Sequence, residues 1–188
     1  MNRPQQAFWQ LATLCLISAG LFYGLFRVNE WLLTTFEYSR QINWVFLPGG
    51  IRVVIVMVMG LPGAVGLVIG TWAVTFFNGQ ELNLLQAGNG LISGLTPWLV
   101  MKLMFRGDDL AEPWGRLTPQ RLLAFVVSYA LANALLHHGF WWAIDAPAHD
   151  AWRGFMPMVV GDLLGSLLLL YLLKWSLDRV TLPASSRH

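Results

Sequence analysis

Long apolar stretches separated by short polar ones organise this sequence. They predict six helices, at residues 8–26, 44–59, 64–77, 82–105, 122–143 and 155–173. Residues 4–26 carry no charged side chain, and a helix needs about 20 apolar residues to cross a bilayer. No stretch alternates apolar and polar residues as the strands of a membrane barrel do. We therefore predict an all-α, polytopic membrane bundle of about six transmembrane helices, with residues 1–188 forming a single integral membrane domain.

The second and third predicted helices are short for full membrane spans. Between them, the sequence Gly60-Leu61-Pro62-Gly63 has the residue types of a tight turn. Three arrangements are consistent with this pattern: the helices tilt, the bilayer thins around them, or the two helices pack as a hairpin.

The composition and the missing motifs indicate which classes of protein can be excluded. Charged residues make up 12% of the chain, about half of the roughly 25% that is typical of soluble domains. No run of five basic residues is present, so we expect no nucleic-acid partner. The sequence lacks the nucleophile elbow, the zincin helix, the paired-cysteine motif and the Walker loop. We therefore expect a protein that is not an enzyme, that holds no cofactor, and whose surroundings are a lipid bilayer.

Lys and Arg residues indicate the orientation. In the predicted topology, eight of the twelve lie at the two ends of the chain and in residues 102–121, around the loop after the fourth predicted helix, and three lie in the loops on the other side. The twelfth, Arg52, lies inside a predicted helix and is not counted. Cytoplasmic loops carry an excess of Lys and Arg, so we expect both termini to be cytoplasmic.

Two charged residues fall inside predicted helices. Arg52 lies about eight residues from the outer end of the second predicted helix, and Asp162 lies about seven residues from the outer end of the sixth. At about 1.5 Å per residue, both are about 10–12 Å below the outer interface. Their charges are opposite, and charge is costly within a membrane, so we expect the two side chains to pair.

Three further polar residues reach a similar depth, namely Asn89, His137 and His138. We predict that they join Arg52 and Asp162 in a ligand-binding pocket that opens to the outer side. The adjacent histidines differ by about 100° around a helix, so at most one of them can point into the bundle. That spacing also makes a metal site unfavourable, even with His149 and Asp150 as additional ligands. In the alternative interpretation, these groups only hold helices together.

Four segments resemble the MASE1 family, in that family's order. They are W-V-F-L-P-G-G-I-R at 44–52 and the glycine-rich hairpin Gly60–Gly70, followed by A-G-N-G-L at 87–91 with P-W-L-V at 97–100, and then V-V-G-D-L-L-G at 159–165. The resemblance covers most of residues 44–175. MASE1 domains are integral membrane sensory inputs that usually precede histidine kinase or diguanylate cyclase outputs in bacteria.

The resemblance implies a sensory or ligand-binding bundle in a bacterial inner membrane. Because these 188 residues include no output domain, it also implies that the signal passes to a separate partner protein, such as a histidine kinase or a diguanylate cyclase. We expect Arg52 to attract an anionic group of the ligand, and a histidine to add pH sensitivity, because histidine titrates near neutrality. Two alternatives stay open: a substrate-binding subunit of a small-molecule transporter, and a structural or assembly subunit of a larger membrane complex.

Overall fold

The computed structural model describes residues 2–33, 37–39, 42–105, 118–146 and 153–179, and this part of the chain is mostly helical. Five helices and one short antiparallel ladder follow one another along it. Their bounds are α1 Arg3–Leu33, β1 Glu37–Ser39, β2 Ile42–Asn43, α2 Leu47–Phe77, α3 Leu84–Met104, α4 Pro119–Ala143 and α5 Phe155–Arg179. The all-α prediction is confirmed, and the second and third predicted helices correspond to the two helical halves of α2, which meet at the non-helical residue Gly60.

The number of spans differs from the prediction. Four helices, α1, α2, α4 and α5, are long and apolar enough to cross a membrane by length and composition, when the 31 residues of α2 are counted together. Among the described residues α3 does not meet that criterion, because Gln86, Asn89 and its glycines lower its hydropathy. The six transmembrane helices are therefore not confirmed.

α2 folds back on itself at Gly60. This residue has φ 59° and ψ −136°, a conformation that glycine adopts without the steric cost that a Cβ would bring. A Cβ built on Gly63 would lie 3.0 Å from the carbonyl oxygen of Ile55, although the two residues are eight positions apart. In a straight helix, eight residues span about 12 Å. Residues 47–59 and 61–77 are therefore two arms that lie side by side and run in opposite directions.

Contacts with α1 confirm this reversal. The backbone N–H of Leu47 donates to Asn29 Oδ1 at 2.9 Å, and Arg27 Nη1 donates to Asn78 Oδ1 at 3.0 Å. Both ends of α2 thus lie beside the C-terminal part of α1. The tip of the hairpin lies near the middle of α1, where Ser18 Oγ donates to the carbonyl oxygen of Gly63 at 2.7 Å.

The two arms are shorter than a bilayer is thick. With 13 and 17 residues, they measure about 20 Å and about 26 Å, whereas the hydrocarbon core is about 30 Å thick. The structure shows the packed hairpin, which is one of the three arrangements that the sequence allowed.

The hairpin begins with a cap supplied by another helix. The side chain of Phe46 does not cap α2. The first backbone N–H group of the helix donates instead to Asn29 of α1, which is 2% exposed. α3 and α4 use caps of their own sequence, because the side chains of Asn83 and Thr118 accept from the backbone N–H groups of Gln86 and Arg121. Asn29 therefore ties the start of the hairpin to α1.

The bundle has two distinct ends. The β1–β2 ladder, the C-terminus of α1, both ends of α2 and the N-terminus of α5 lie together, and we call this the ladder end of the bundle. Ile42 of β2 lies against Gly154, just before α5 begins. The N-terminus of α1 and the C-terminus of α5 lie at the opposite end. An apolar core joins the hairpin to α1 and α4 through fully buried residues such as Phe22, Val53 and Phe125.

Candidate functional site

A cavity of about 400 Å³ extends into the bundle from the ladder end. It is enclosed by α1, both arms of α2, α3, α4 and α5, and this volume lies within the range of small-molecule sites. Its polar lining consists of Asn29, Glu30, Glu37, Asn43, Arg52, Thr71, Thr75, Asn78, Gln80, Gln86, Asn89, Ser93, Asn133, His137 and Asp162. Four of the five residues predicted from the sequence are in this set, and they come from four different helices.

Arg52 and Asp162 meet deep in the cavity, at 4% and 2% exposure. The distance between Arg52 Nη1 and Asp162 Oδ1 is 3.9 Å, so the predicted pairing is present. That distance is well beyond the roughly 2.7–2.9 Å of a charge-assisted hydrogen bond. The two groups therefore attract each other without direct hydrogen bonding.

Neutral side chains of α4 hold the two charges. Arg52 Nη1 donates to Tyr129 Oη at 3.1 Å, and Asn133 Nδ2 donates to Asp162 Oδ2 at 2.7 Å. The guanidinium also lies over the rings of Phe22 and Phe46, at 5.0 Å and 5.2 Å from the centroids. Such contacts with aromatic faces stabilise a cation that has lost its water.

Glycines bring α5 close enough for the pair to form. The backbone N–H of Phe46 donates to the carbonyl oxygen of Gly161 at 3.0 Å, and a Cβ on Gly165 would overlap the carbonyl oxygen of Phe46. On the facing element, a Cβ on Gly49 would lie 2.7 Å from Asp162 Oδ1. The glycines of the segments 44–52 and 159–165 thus let the start of α2 lie directly against α5, as expected for small-residue helix contacts.

His137 faces the cavity. Its Nδ1 lies 3.0 Å from the carbonyl oxygen of Asn133, and its Nε2 lies 3.3 Å from Ser93 Oγ. A carbonyl oxygen can only accept, so Nδ1 carries a proton in this arrangement. His137 therefore links α4 to α3 within the wall of the site.

His138 does not line the cavity. Its ring packs against Trp141 and Phe155, with centroids 4.8 Å and 5.8 Å away. Both rings are buried in the bundle, at 5% exposure for His137 and 1% for His138, but only His137 lines the cavity. A ligand in this cavity would not touch His138, so its predicted role in binding has no geometric support.

Asn89 lies in the wall shared by α3 and α4. Its Oδ1 accepts from Trp141 Nε1 at 2.8 Å, and the residue is 6% exposed. This contact satisfies an indole N–H that would otherwise be buried without a partner. Asn89 therefore joins two helices and also lines the cavity.

Two residues that the sequence interpretation missed, Tyr129 and Asn133, hold the charged pair. They belong to a stripe on α4 in which Tyr129, Asn133, His137 and Trp141 follow one another at intervals of four residues. That spacing places all four side chains on one face of a helix. The signal that could have found them is this period-four stripe of polar and aromatic residues within an apolar stretch.

The rim at the ladder end is acidic and amide-rich. Glu30 and Glu37 line it together with Asn78, Gln80 and Gln86. Arg27 Nη1 lies 2.7 Å from Glu30 Oε2, but both side chains are exposed, so their attraction is weakened by water. The acidic rim and the deeper charged pair define one continuous polar surface.

No group of three or more metal-ligating side chains occurs among the described residues. His149 and Asp150, the additional ligands considered above, lie outside the described ranges, as does the loop after α3. The chain matches no family model, no curated protein and no solved structure.

Proposed function

We propose that this chain is an integral membrane sensory module of the MASE1 type that binds a small polar ligand at the ladder end. The observation that supports this most is the cavity of about 400 Å³, in which Arg52, Asn89, His137 and Asp162 meet from four helices. Polar groups are expensive within a membrane, and convergence of several such groups on one enclosed volume favours a binding site over separate structural contacts.

The proposed signal is a movement of α2 against α5. The Arg52–Asp162 pair is the only ion pair between these two helices among the described residues, and it lacks a direct hydrogen bond. A ligand whose charged groups insert between the two side chains stabilises a different spacing of the helices. It therefore shifts the population between two arrangements, as ligand control of a conformational equilibrium requires.

In this proposal the ladder end faces the periplasm of a bacterial inner membrane, and both termini are cytoplasmic. The excess of Lys and Arg toward the two chain ends and after α3 supports this orientation. The partner is a separate histidine kinase or diguanylate cyclase, which receives the signal at the cytoplasmic side. Reporter fusions at each terminus test the orientation, and co-purification from a membrane extract tests the partner.

A ligand screen tests the proposed function. Purified protein is examined by native mass spectrometry for a molecule that co-purifies, and a library of polar metabolite-sized compounds is screened by thermal shift. We expect at least one ligand, and we expect Arg52→Gln to weaken its binding by about tenfold or more, because hydrogen bonds to charged groups contribute about 1.5–3 kcal/mol. Arg3→Gln, which alters an exposed arginine at the opposite end of the bundle and outside the cavity lining, is the matched control. The proposal fails if no compound binds.

A second candidate function is a substrate-binding transporter subunit. The observation in its favour is the hairpin α2, since half-length helices that line a polar site are a recurring feature of transporters. Uptake of the identified ligand into proteoliposomes distinguishes the two functions. Flux that depends on Arg52 supports transport, whereas binding without flux supports sensing.

A further inference from the structure

The charges around the cavity restrict the class of ligand, and this inference rests on the proposed function. Arg52 is the only Lys or Arg side chain in the lining among the described residues, whereas Glu30, Glu37 and Asp162 are acidic. Arg27 offsets Glu30 in part. The lining as a whole is therefore negative, which disfavours the entry of a ligand that carries only negative charge.

The deep pair also disfavours a ligand with a single charge. An anion that bound Arg52 would draw the guanidinium away from Asp162, and the carboxylate would then be buried without a compensating charge. A cation that bound Asp162 would leave Arg52 in the same state. Leaving one member of a buried pair uncompensated is strongly unfavourable.

Two buried polar atoms beside the Arg52–Asp162 pair have no hydrogen-bond partner among the described residues. Within the described part of the chain, Arg52 Nε is a buried donor with no hydrogen-bond partner, and Asn133 Oδ1 is a buried acceptor with none. The donor belongs to the cationic member, and the acceptor belongs to the residue that holds the anionic member. The site therefore has an unused donor on its cationic member, suited to a carboxylate, and an unused acceptor beside its anionic member, suited to an ammonium group.

Apolar side chains also line part of the cavity. Phe26, Trp141 and Met158 line the cavity beside the polar residues. A ligand that fits this lining carries its two charged groups at one end and an apolar or aromatic body at the other.

We propose that the ligand is a zwitterion of the α-amino-acid type, with its carboxylate on Arg52 and its ammonium group on Asp162 and Asn133 Oδ1. Such a molecule brings no net charge into the buried site and gives each member of the pair a new opposite charge. Its two charged groups can lie alongside the pair, whose facing atoms are 3.9 Å apart and not hydrogen-bonded to each other.

Matched compounds test this assignment on the unmodified protein in detergent. Three triplets are titrated by calorimetry: phenylalanine, 3-phenylpropionate and phenethylamine; tryptophan, indole-3-propionate and tryptamine; leucine, 4-methylpentanoate and isopentylamine. Within each triplet, one compound is the zwitterion, one lacks the ammonium group and one lacks the carboxylate. We expect at least one zwitterion to bind about tenfold or more tightly than both of its analogues.

Asp162→Asn identifies the ammonium contact. This change keeps the shape and a side-chain oxygen for Asn133 but removes the charge. We expect the preferred zwitterion to lose about tenfold or more in affinity, and the analogue without the ammonium group to bind as before or more tightly. Asp178→Asn, which alters an exposed aspartate on the same helix outside the cavity lining, is the control and leaves all affinities unchanged.

The comparison on the unmodified protein decides the outcome even if Asp162→Asn does not fold. The inference is overturned if an analogue with one charge binds as tightly as its zwitterion in every triplet, or if none of the compounds binds. In either case, the proposed function fails only if the wider screen also finds no ligand.

Discussion

At the scale of single residues, Arg52 is held by groups from three helices and by Phe46, which directly precedes α2. Tyr129 accepts one of its hydrogen bonds, the rings of Phe22 and Phe46 cover its face, and Asp162 supplies the opposite charge. Each contact replaces part of the water that the guanidinium loses on burial. Since the desolvation of a buried charge is expensive, we expect the loss of its charged partner to matter more than the loss of any neutral neighbour.

The first prediction concerns this pair. Arg52→Gln and Asp162→Asn should each lower the free energy of unfolding by about 3–5 kcal/mol, because each leaves a buried charge uncompensated. The double variant should lose less than the sum of the two by about 1 kcal/mol or more. Chemical or thermal unfolding in detergent measures all three. The exposed pair Arg27–Glu30 is the control, for which we expect a coupling below about 1 kcal/mol. Additive losses at Arg52 and Asp162 would show that the two residues do not interact.

The second prediction concerns Asn29. Asn29→Ala should lower the free energy of unfolding by about 1–3 kcal/mol, because the buried N–H of Leu47 then loses its acceptor. Asn78→Ala removes an amide of the same kind from an exposed position and should cost less than about 0.5 kcal/mol. Thermal melting compares the two variants. Equal effects would mean that Asn29 does not cap α2.

The charged residues of the site can be predicted from the sequence, because a charge in an apolar stretch is conspicuous. Arg52 and Asp162 stand out for that reason, and their depth can be counted from the ends of the apolar stretches. Tyr129 and Asn133 carry no charge, so only their spacing of four residues distinguishes them. The prediction for His138 lacks geometric support because a sequence does not tell which face of α4 is turned inward, and that depends on how the helices pack.

Close approach of the backbones is the main feature at the scale of elements. α5 lies directly on residues 43–46 and on the start of α2, with glycines at the points of contact. Arg52 and Asp162 can meet because glycines leave the facing surfaces of α5 and the start of α2 without side chains. The same contacts leave no room for a methyl group at Gly165.

The third prediction follows from this contact. Gly165→Ala should destabilise the protein by about 1–3 kcal/mol, because the new methyl group would overlap the carbonyl oxygen of Phe46. For a chain of this size, this corresponds to a fall of about 2–12 °C in the melting temperature. Gly139→Ala is the control, since nothing lies within 4 Å of the position that a Cβ would take there in helix α4. At that position, alanine should raise the stability by about 0.5–1 kcal/mol. A neutral Gly165→Ala would contradict the contact.

The fourth prediction concerns the reversal of α2. Gly60→Ala should cost about 1–3 kcal/mol, because the positive φ of 59° with ψ of −136° strains any residue that has a Cβ. Gly24→Ala, at a helical position of α1 with open space around it, should be neutral or stabilising. Melting in detergent again provides the comparison. If both alanines have the same effect, the backbone does not require glycine at residue 60.

The hairpin also explains why the sequence predicts six spans. Its turn residues and short apolar stretches are visible in the sequence, but the Lys and Arg count is the same whether its two arms cross the membrane or return to the side on which they began. The two arms come as a pair, so neither arrangement changes the side of any other loop, and the tip at Gly60-Leu61-Pro62-Gly63 carries no charge that would reveal which side it faces. Only the contacts of the tip with Cys15 and Ser18, midway along α1, show how deep it reaches.

At the scale of the whole molecule, the ladder end and the opposite end differ in character. The cavity, the acidic rim and both ends of α2 are at one end. The N-terminus of α1 and the C-terminus of α5 are at the other. A bilayer that encloses this bundle therefore separates the proposed ligand from the proposed signalling partner.

The fifth prediction tests this arrangement in vesicles. In a Cys15→Ser background, whose hydroxyl can keep the hydrogen bond to Pro62, cysteines are introduced at Trp44, Leu61 and Glu81. A membrane-impermeant maleimide should label positions 44 and 81 from the same side. It should label position 61 from neither side until detergent is added, because the tip lies about 20 Å from the ladder end. Labelling of position 61 from the side opposite to position 44 would show that α2 crosses the membrane twice.

The reversal of α2 has a consequence for biosynthesis. In a bilayer with one face at the ladder end, a hairpin that begins and ends at that face delivers no hydrophilic loop to the other face, so α2 adds no translocation step after α1 has inserted. The hairpin can therefore settle against α1 as soon as both have emerged from the ribosome. The later helices then enclose a partly assembled chamber.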